Sequence, residues 1–161
     1  MADNYRLDRA DLTILKALQE DARLTIKELA HRVSLSPTPV YERLKRLEGH
    51  GIIKRYAAIL DEEKLGRGFT VFCKVKLFHI NNDAAVRFTN AVTAMSQVTE
   101  CYNTSGAYDY LLKISVTDMK AYKDFLLNVL GKTDGVASIE SVFVMDIVKH
   151  SHGVALPETT A

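Results

Sequence analysis

Cysteine is scarce in this chain of 161 residues: there are two, Cys73 and Cys101. Two thiols make no disulfide framework, and a reducing cytoplasm is the compartment they fit. Long apolar runs are also missing; none reaches the roughly 20 residues that span a bilayer. The opening residues, MADNYR, are polar and lack the apolar stretch of a secretory signal. A P-loop, a dinucleotide fingerprint and a G-x-S-x-G elbow are absent, so the chemistries those motifs serve have no basis here. Cys73 falls inside an apolar run, as a small buried hydrophobe does, and neither thiol has a His-Asp set beside it. No catalytic residue and no cofactor is expected. His150 and His152, with His79 elsewhere, have no Cys or acidic cluster beside them, so no metal site is expected.

Net charge is nearly absent as well: 21 basic side chains against 20 acidic ones leave +1. Near-neutrality taken alone argues against nucleic acid as a partner. The average conceals a split. Residues 1–60 carry eleven Lys and Arg against eight Asp and Glu, whereas residues 61–161 carry ten against twelve. Six of the cations (Arg32, Arg43, Lys45, Arg46, Lys54 and Arg55) fall within residues 32–56, where only Glu42 and Glu48 oppose them.

What is present is a globular composition, 47% hydrophobic and 25% charged. A chain of this length buries roughly 70% of its unfolded surface without disulfides or metals. Residues 7–20 carry Leu7, Ile14, Leu15 and Leu18 at helical spacing, opened by Asp8 and Asp11 in the manner of a capping box. Thr25-Ile26-Lys27-Glu28 is a second capping box, leading into Leu29, Ala30 and Val33. Ser36 then stands as N-cap to a third helix with Pro37 at its first position, and Pro39 falls where no intrahelical N–H bond is needed. Val40, Leu44 and Leu47 form its apolar stripe, and the spacing places Thr38, Glu42, Arg43, Lys45 and Arg46 mostly off it.

Two short helices joined by a tight turn, the second opened by Ser-Pro and basic outside its stripe, match a helix-turn-helix over about residues 25–48. Thr38 in the first turn suits close approach to a base edge. Arg43 and Arg46 suit phosphate or guanine, and Ser36 with the free N–H groups of the helix start suits phosphate. Residues 52–60 (IIKRYAAIL) predict a strand that serves as wing or hinge, with Lys54 and Arg55 toward the DNA backbone. The charged stretch 61–68 (DEEKLGRG) marks a hinge between domains 1–60 and 69–150, followed by a tail at 151–161.

The second half alternates strand and helix. Strands are predicted over residues 69–78, 98–103, 109–116 and 136–148. Helices are predicted over residues 82–95, with Asp83 near the cap and Ala85, Val86, Phe88 and Val92 inward, and from a Thr117 cap through Leu130, with Met119, Tyr122, Leu126 and Val129 on one face. This β-α-β-β-α-β order is the ferredoxin-like arrangement, so the fold class is α+β. Val71, Cys73, Val75 and Leu77 share one face of the first strand. Phe72 and Phe78, of opposite parity, leave an apolar sheet face open, which predicts a sheet-to-sheet homodimer.

The runs LDRADLTILKALQEDARLT, KELAHRVSLSPTPVYERLKRLEGHGIIKRYAAILD, TECYNTSGAYDYLLK, DMKAYKDFL and FVMDIVKH together resemble the Lrp/AsnC family of leucine-responsive, feast/famine regulators. The resemblance covers nearly the whole chain in the family's order. It implies a winged helix-turn-helix joined to a ferredoxin-like effector domain, and dimers that assemble into larger rings, often octamers, on double-stranded DNA. It implies an amino acid bound near the contact between dimers that shifts assembly or DNA affinity. Carried onto this chain, the DNA readers are Ser36, Thr38, Glu42, Arg43 and Arg46. The effector loop is Asn103, Thr104, Ser105, Gly106, Ala107, Tyr108 and Asp109. There backbone N–H groups would hold a carboxylate and Asp109 an ammonium. Met119, Val142 and Phe143 would add apolar wall or interface contacts. A ligand-sensing module acting through a protein partner instead of DNA is the alternative, separated from the first reading by salt-dependent DNA binding.

Overall fold

The computed structural model describes residues 6–157. The polar start read at MADNYR and the end of the tail lie largely outside them. The chain divides into two compact units. One comprises Met1–Ala58 with Lys149–Ala161, the other Ile59–Val148.

Among its described residues the first unit holds three helices, α1 (Arg9–Glu20), α2 (Ile26–Val33) and α3 (Pro37–Gly49). Both predicted capping boxes form. Asp8 accepts the Asp11 N–H at 2.9 Å while Asp11 accepts the Asp8 N–H at 3.2 Å, and Thr25 and Glu28 reciprocate at 3.3 and 2.6 Å. Ser34 ends α2 in the left-handed region (φ 55°), which lets the chain turn at once into α3. Ser36 is the N-cap of α3 by backbone position only, with no side-chain cap bond. Ile14, Leu29, Val40 and Leu47 meet in the core of this unit.

The strand predicted over residues 52–60 is not formed. A strand needs a partner ladder. Here the Ile52 and Ile53 N–H groups instead close the end of α3 on the Leu47 carbonyl, at 3.0 and 3.2 Å. Ile53 alone of this stretch packs against the core. The tail returns to the same unit. The Gln19 amide donates to the Val154 carbonyl at 3.2 Å and accepts the Val154 N–H at 2.6 Å, and Leu156 packs against the helices.

The second unit runs β1 (Phe69–Leu77), α4 (Asn82–Thr93), β2 (Val98–Asn103), β3 (Tyr110–Val116), α5 (Met119–Asn128), a short 3-10 turn (Leu130–Lys132) and β4 (Val136–Phe143). The sheet order is β2-β3-β1-β4 and every pairing is antiparallel. Val71, Cys73, Val75 and Leu77 meet Phe88 and Val92 of α4 and Tyr122 and Phe125 of α5, so both helices cover one face. The ferredoxin-like α+β fold expected from the residues is the fold found.

Several local expectations change. β4 stops at Phe143 instead of residue 148. Its partner β1 begins at Phe69, and with Phe143 opposite Val71 little strand remains to pair with. Asn81 caps α4, with Asp83 in its first turn as expected, and Asp118 caps α5 in place of Thr117. Ala84 faces inward from α4 while Val86 is exposed; Phe125 does so from α5 while Met119 is exposed. The expected hinge at residues 61–68 is bonded into the second unit. Lys113 pairs with Glu62 at 3.8 Å, and the Ser115 hydroxyl donates to the Arg67 carbonyl at 2.6 Å. The second sheet face is less apolar than its aromatics suggested. Phe78 is exposed, but Phe72 is half-buried and shares the face with Lys74, Lys76 and Lys113 in ion pairs.

Candidate nucleic-acid interface and ligand loop

Helix α3 turns Val40 and Leu47 into the core, and the 3.6-residue period fixes what lies opposite. Thr38, Tyr41, Glu42 and Lys45 are exposed at i, i+3, i+4 and i+7, one continuous face. Tyr41 belongs to this face and escaped the sequence reading, although its spacing from Thr38 and Lys45 placed it there. The Lys45 ammonium stands 5.8 Å from the Tyr41 ring centroid and bonds Glu48 at 3.0 Å. Glu48 also accepts the Tyr56 hydroxyl at 3.0 Å. The Lys45 and Tyr56 bonds hold the Glu48 carboxyl below its usual range. Burial, then the Glu48 bond, pushes the Tyr56 phenol up to about 12. Ser36, Arg46, Lys54 and Arg55 are exposed too, with Arg46 Nη2 4.0 Å from Asp11.

Arg43 stands apart. It sits three residues after Val40 and four before Leu47, so it lies beside the inward stripe and not on the open face. Its Nη1 donates to Asp8 Oδ2 at 2.6 Å and to Asp11 Oδ1 at 2.7 Å. Its side chain is 22% exposed. The Asp11 bond, set against desolvation and joined by the Asp8 bond, raises its pKa further. Sequence spacing could have shown the inward position. The carboxylate partners, 35 and 32 residues away, could not be read from it.

In the second unit, residues 103–109 join β2 to β3. The loop is laced internally: the Thr104 N–H donates to the Asp109 carbonyl at 2.9 Å, the Thr104 hydroxyl to the Tyr108 carbonyl at 3.1 Å, and Asn103 Nδ2 to the Asp109 carbonyl at 3.1 Å. Gly106 takes φ 116°, where a side chain would be strained. Ser105, Gly106 and Ala107 form the exposed tip. The Tyr108 hydroxyl donates to Glu140 at 2.6 Å, and Glu140 also holds Lys74 at 2.6 Å.

Asp109 is buried (6% exposed) and already engaged. Its Oδ2 accepts the Leu77 N–H at 2.8 Å and its Oδ1 accepts the Lys76 ammonium at 3.0 Å. Met119, Val142 and Phe143 are exposed, but the register puts them at the far end of the sheet. The loop adjoins the Val75–Tyr110 pair, whereas Phe143 opposes Val71 and Met119 follows the Val116 end. One chain therefore does not bring these three to the loop.

Each half of the chain matches a known family. The winged helix-turn-helix DNA-binding family matches residues 7–54, and the Lrp/AsnC ligand-binding domain matches residues 70–154. The chain is 38% identical over 145 residues to the DNA-binding transcriptional activator DecR of Escherichia coli K12, covering 90% of this chain and 95% of that one. It is 40% identical over 150 residues to the leucine-responsive regulatory protein of the same organism, covering 93% and 92%. Among solved structures, a transcriptional regulator of Neisseria meningitidis in complex with L-Met superposes with a TM-score of 0.89 at 39% identity, covering 93% of this chain and 97% of that one. The helix-turn-helix, the ferredoxin-like unit and these likenesses over nine-tenths of the chain place the protein in the Lrp/AsnC family of DNA-binding transcriptional regulators.

Proposed function

We propose that α3 reads double-stranded DNA through its open face and that an amino acid bound by the 103–109 loop modulates assembly or DNA affinity. The observation that carries the first half is the single exposed face of Thr38, Tyr41, Glu42 and Lys45, projecting from a capped helix whose other side is core. Ser36, Arg46, Lys54 and Arg55 flank it as phosphate partners. Binding is expected to weaken roughly 10³-fold or more between 50 and 200 mM salt if six or more phosphates are neutralised. A gel-shift or anisotropy series measures this. Binding that ignores salt, or that survives Thr38→Ala with Lys45→Ala unchanged, argues against the reading.

For the effector, the exposed tip at residues 105–107 offers backbone N–H groups to a carboxylate. The two oxygens of Asp109 provide about four acceptor sites. An incoming ammonium would therefore join Lys76 and Leu77 there without displacing either. Met119, Val142 and Phe143 would supply apolar wall from a second copy, which fits homodimers assembling into octamers. The relative solved with L-Met supports an amino acid as the class of ligand. Calorimetry with a panel of amino acids tests it, and an Asp109→Asn protein that assembles normally yet binds the effector equally well would remove Asp109 from the site. Light scattering with and without effector tests the assembly. No helix among the described residues is long and apolar enough to cross a membrane. The proposed place of action is the cytoplasm.

A further inference from the structure

The cap of α1 is built so that each carboxylate serves twice. Asp8 gives one oxygen to the Asp11 N–H and the other to Arg43; Asp11 gives one to the Asp8 N–H and the other to Arg43. The start of α1 is thus fastened to the middle of α3, behind the face that carries Thr38 and Lys45. Apolar packing between these helices is non-directional and leaves α3 free to roll slightly about its axis. Charge-assisted bonds to one guanidinium nitrogen are directional and remove that freedom. Base edges are read only when side chains arrive within about 0.5 Å and 10–20° of the productive geometry. Moving Arg43 to a phosphate would take the guanidinium from Asp11, a carboxylate only 1% exposed.

We propose that Arg43 is a positioning residue for base recognition, fixing the roll of α3 through Asp8 and Asp11, and that it does not itself contact DNA. This rests on α3 being the reading helix. The proposal has a signature opposite to that of a phosphate contact. Asp8→Asn with Asp11→Asn keeps both cap acceptors but removes two negative charges from a DNA-binding unit. On Coulomb attraction alone that double variant binds every duplex more tightly. If the pair positions α3, it instead loses selectivity.

The test uses the full chain, a duplex selected from a random pool by the wild-type protein, and a scrambled duplex of the same length. Arg43→Ala and the double Asn variant are each expected to lower the ratio of selected to scrambled affinity about tenfold, whatever the charge change does to both duplexes in common. The triple variant is expected to be no worse than the double Asn variant, in which Arg43 has already lost both carboxylates and Asp11 its 4.0 Å contact with Arg46. The salt slope should stay the same. Overturning results are a slope smaller by about 0.9 in Arg43→Ala with both duplexes weakened alike, or a double Asn variant that keeps full selectivity. Should Arg43→Ala fail to fold by circular dichroism, Arg43→Met, which keeps the apolar stem, and Asp8→Asn, whose side chain is half exposed, are read by the same criteria. A wild-type protein that selects no duplex at all would instead overturn the reading of α3.

Discussion

The Asp109 carboxyl feels opposed influences. Burial raises its pKa, but the Leu77 N–H and the Lys76 ammonium outweigh that, so the net displacement is below the ordinary 3.8. A group depressed in the folded state contributes stability above its unfolded pKa and loses it as pH falls through the folded one. The contribution is therefore full above about pH 5 and fades below the ordinary carboxylate range. Asp109→Asn is expected to cost about 1–3 kcal/mol at neutral pH and to show a smaller further loss on going to pH 3 than the wild type does. Urea unfolding at both pH values measures it; an unchanged acid loss would mean that Asp109 is not among the responsible groups. At this scale the sequence showed identity and local spacing well. Capping boxes at Asp8 and Thr25 were legible because cap and N3 are three residues apart. The second oxygens of Asp8 and Asp11 were not, because Arg43 lies on another helix.

Elements were legible where periodicity or a cap marked them, and misread where a neighbour decided. The five α-helices and four strands of the described residues follow from apolar spacing, with ends shifted by a few residues. Residues 52–60 have the composition of a strand, yet composition supplies no ladder partner within the chain. β4 likewise ends where β1 runs out, a fact of register and not of the β-rich residues that follow it. Inward faces depend on the choice of one residue in each turn: α4 offered Val86 or Ala84, and proximity to the sheet selected the smaller. Phe88 ties this element to the sheet, fully buried with its ring 4.5 Å from that of Tyr110. Phe88→Ala is expected to cost about 3–5 kcal/mol, seen as a lowered denaturant midpoint for the second unit. A change below 1 kcal/mol would place the core elsewhere.

At the scale of the molecule, the near-zero net charge is a property of neither unit. A basic reader and a mildly acidic partner cancel, so one copy has few cations for phosphate and several copies on one DNA would multiply them. The tail belongs to the reader in space though not in sequence. Ending the chain after Val148 removes the Val154 bonds to Gln19 and the packing of Leu156. That truncation is expected to destabilise the first unit by about 1–3 kcal/mol, two modest hydrogen bonds and a partly buried leucine, and to leave the second unit unaffected. Hydrogen exchange resolved by unit measures this. Equal protection of α1 with and without the tail would show the contact to be idle.

The same clasp sets an order of birth. Gln19 and Val154 are 135 residues apart, so at about 5–20 residues per second a ribosome needs ~7–27 s after making one to make the other. The ferredoxin-like unit, contiguous in the chain, has all its strands before residue 149 is added. The three-helix reader is synthesised first and completed last. The DNA-binding unit therefore waits for residues made after every strand of the sensor, although its three helices are made before them.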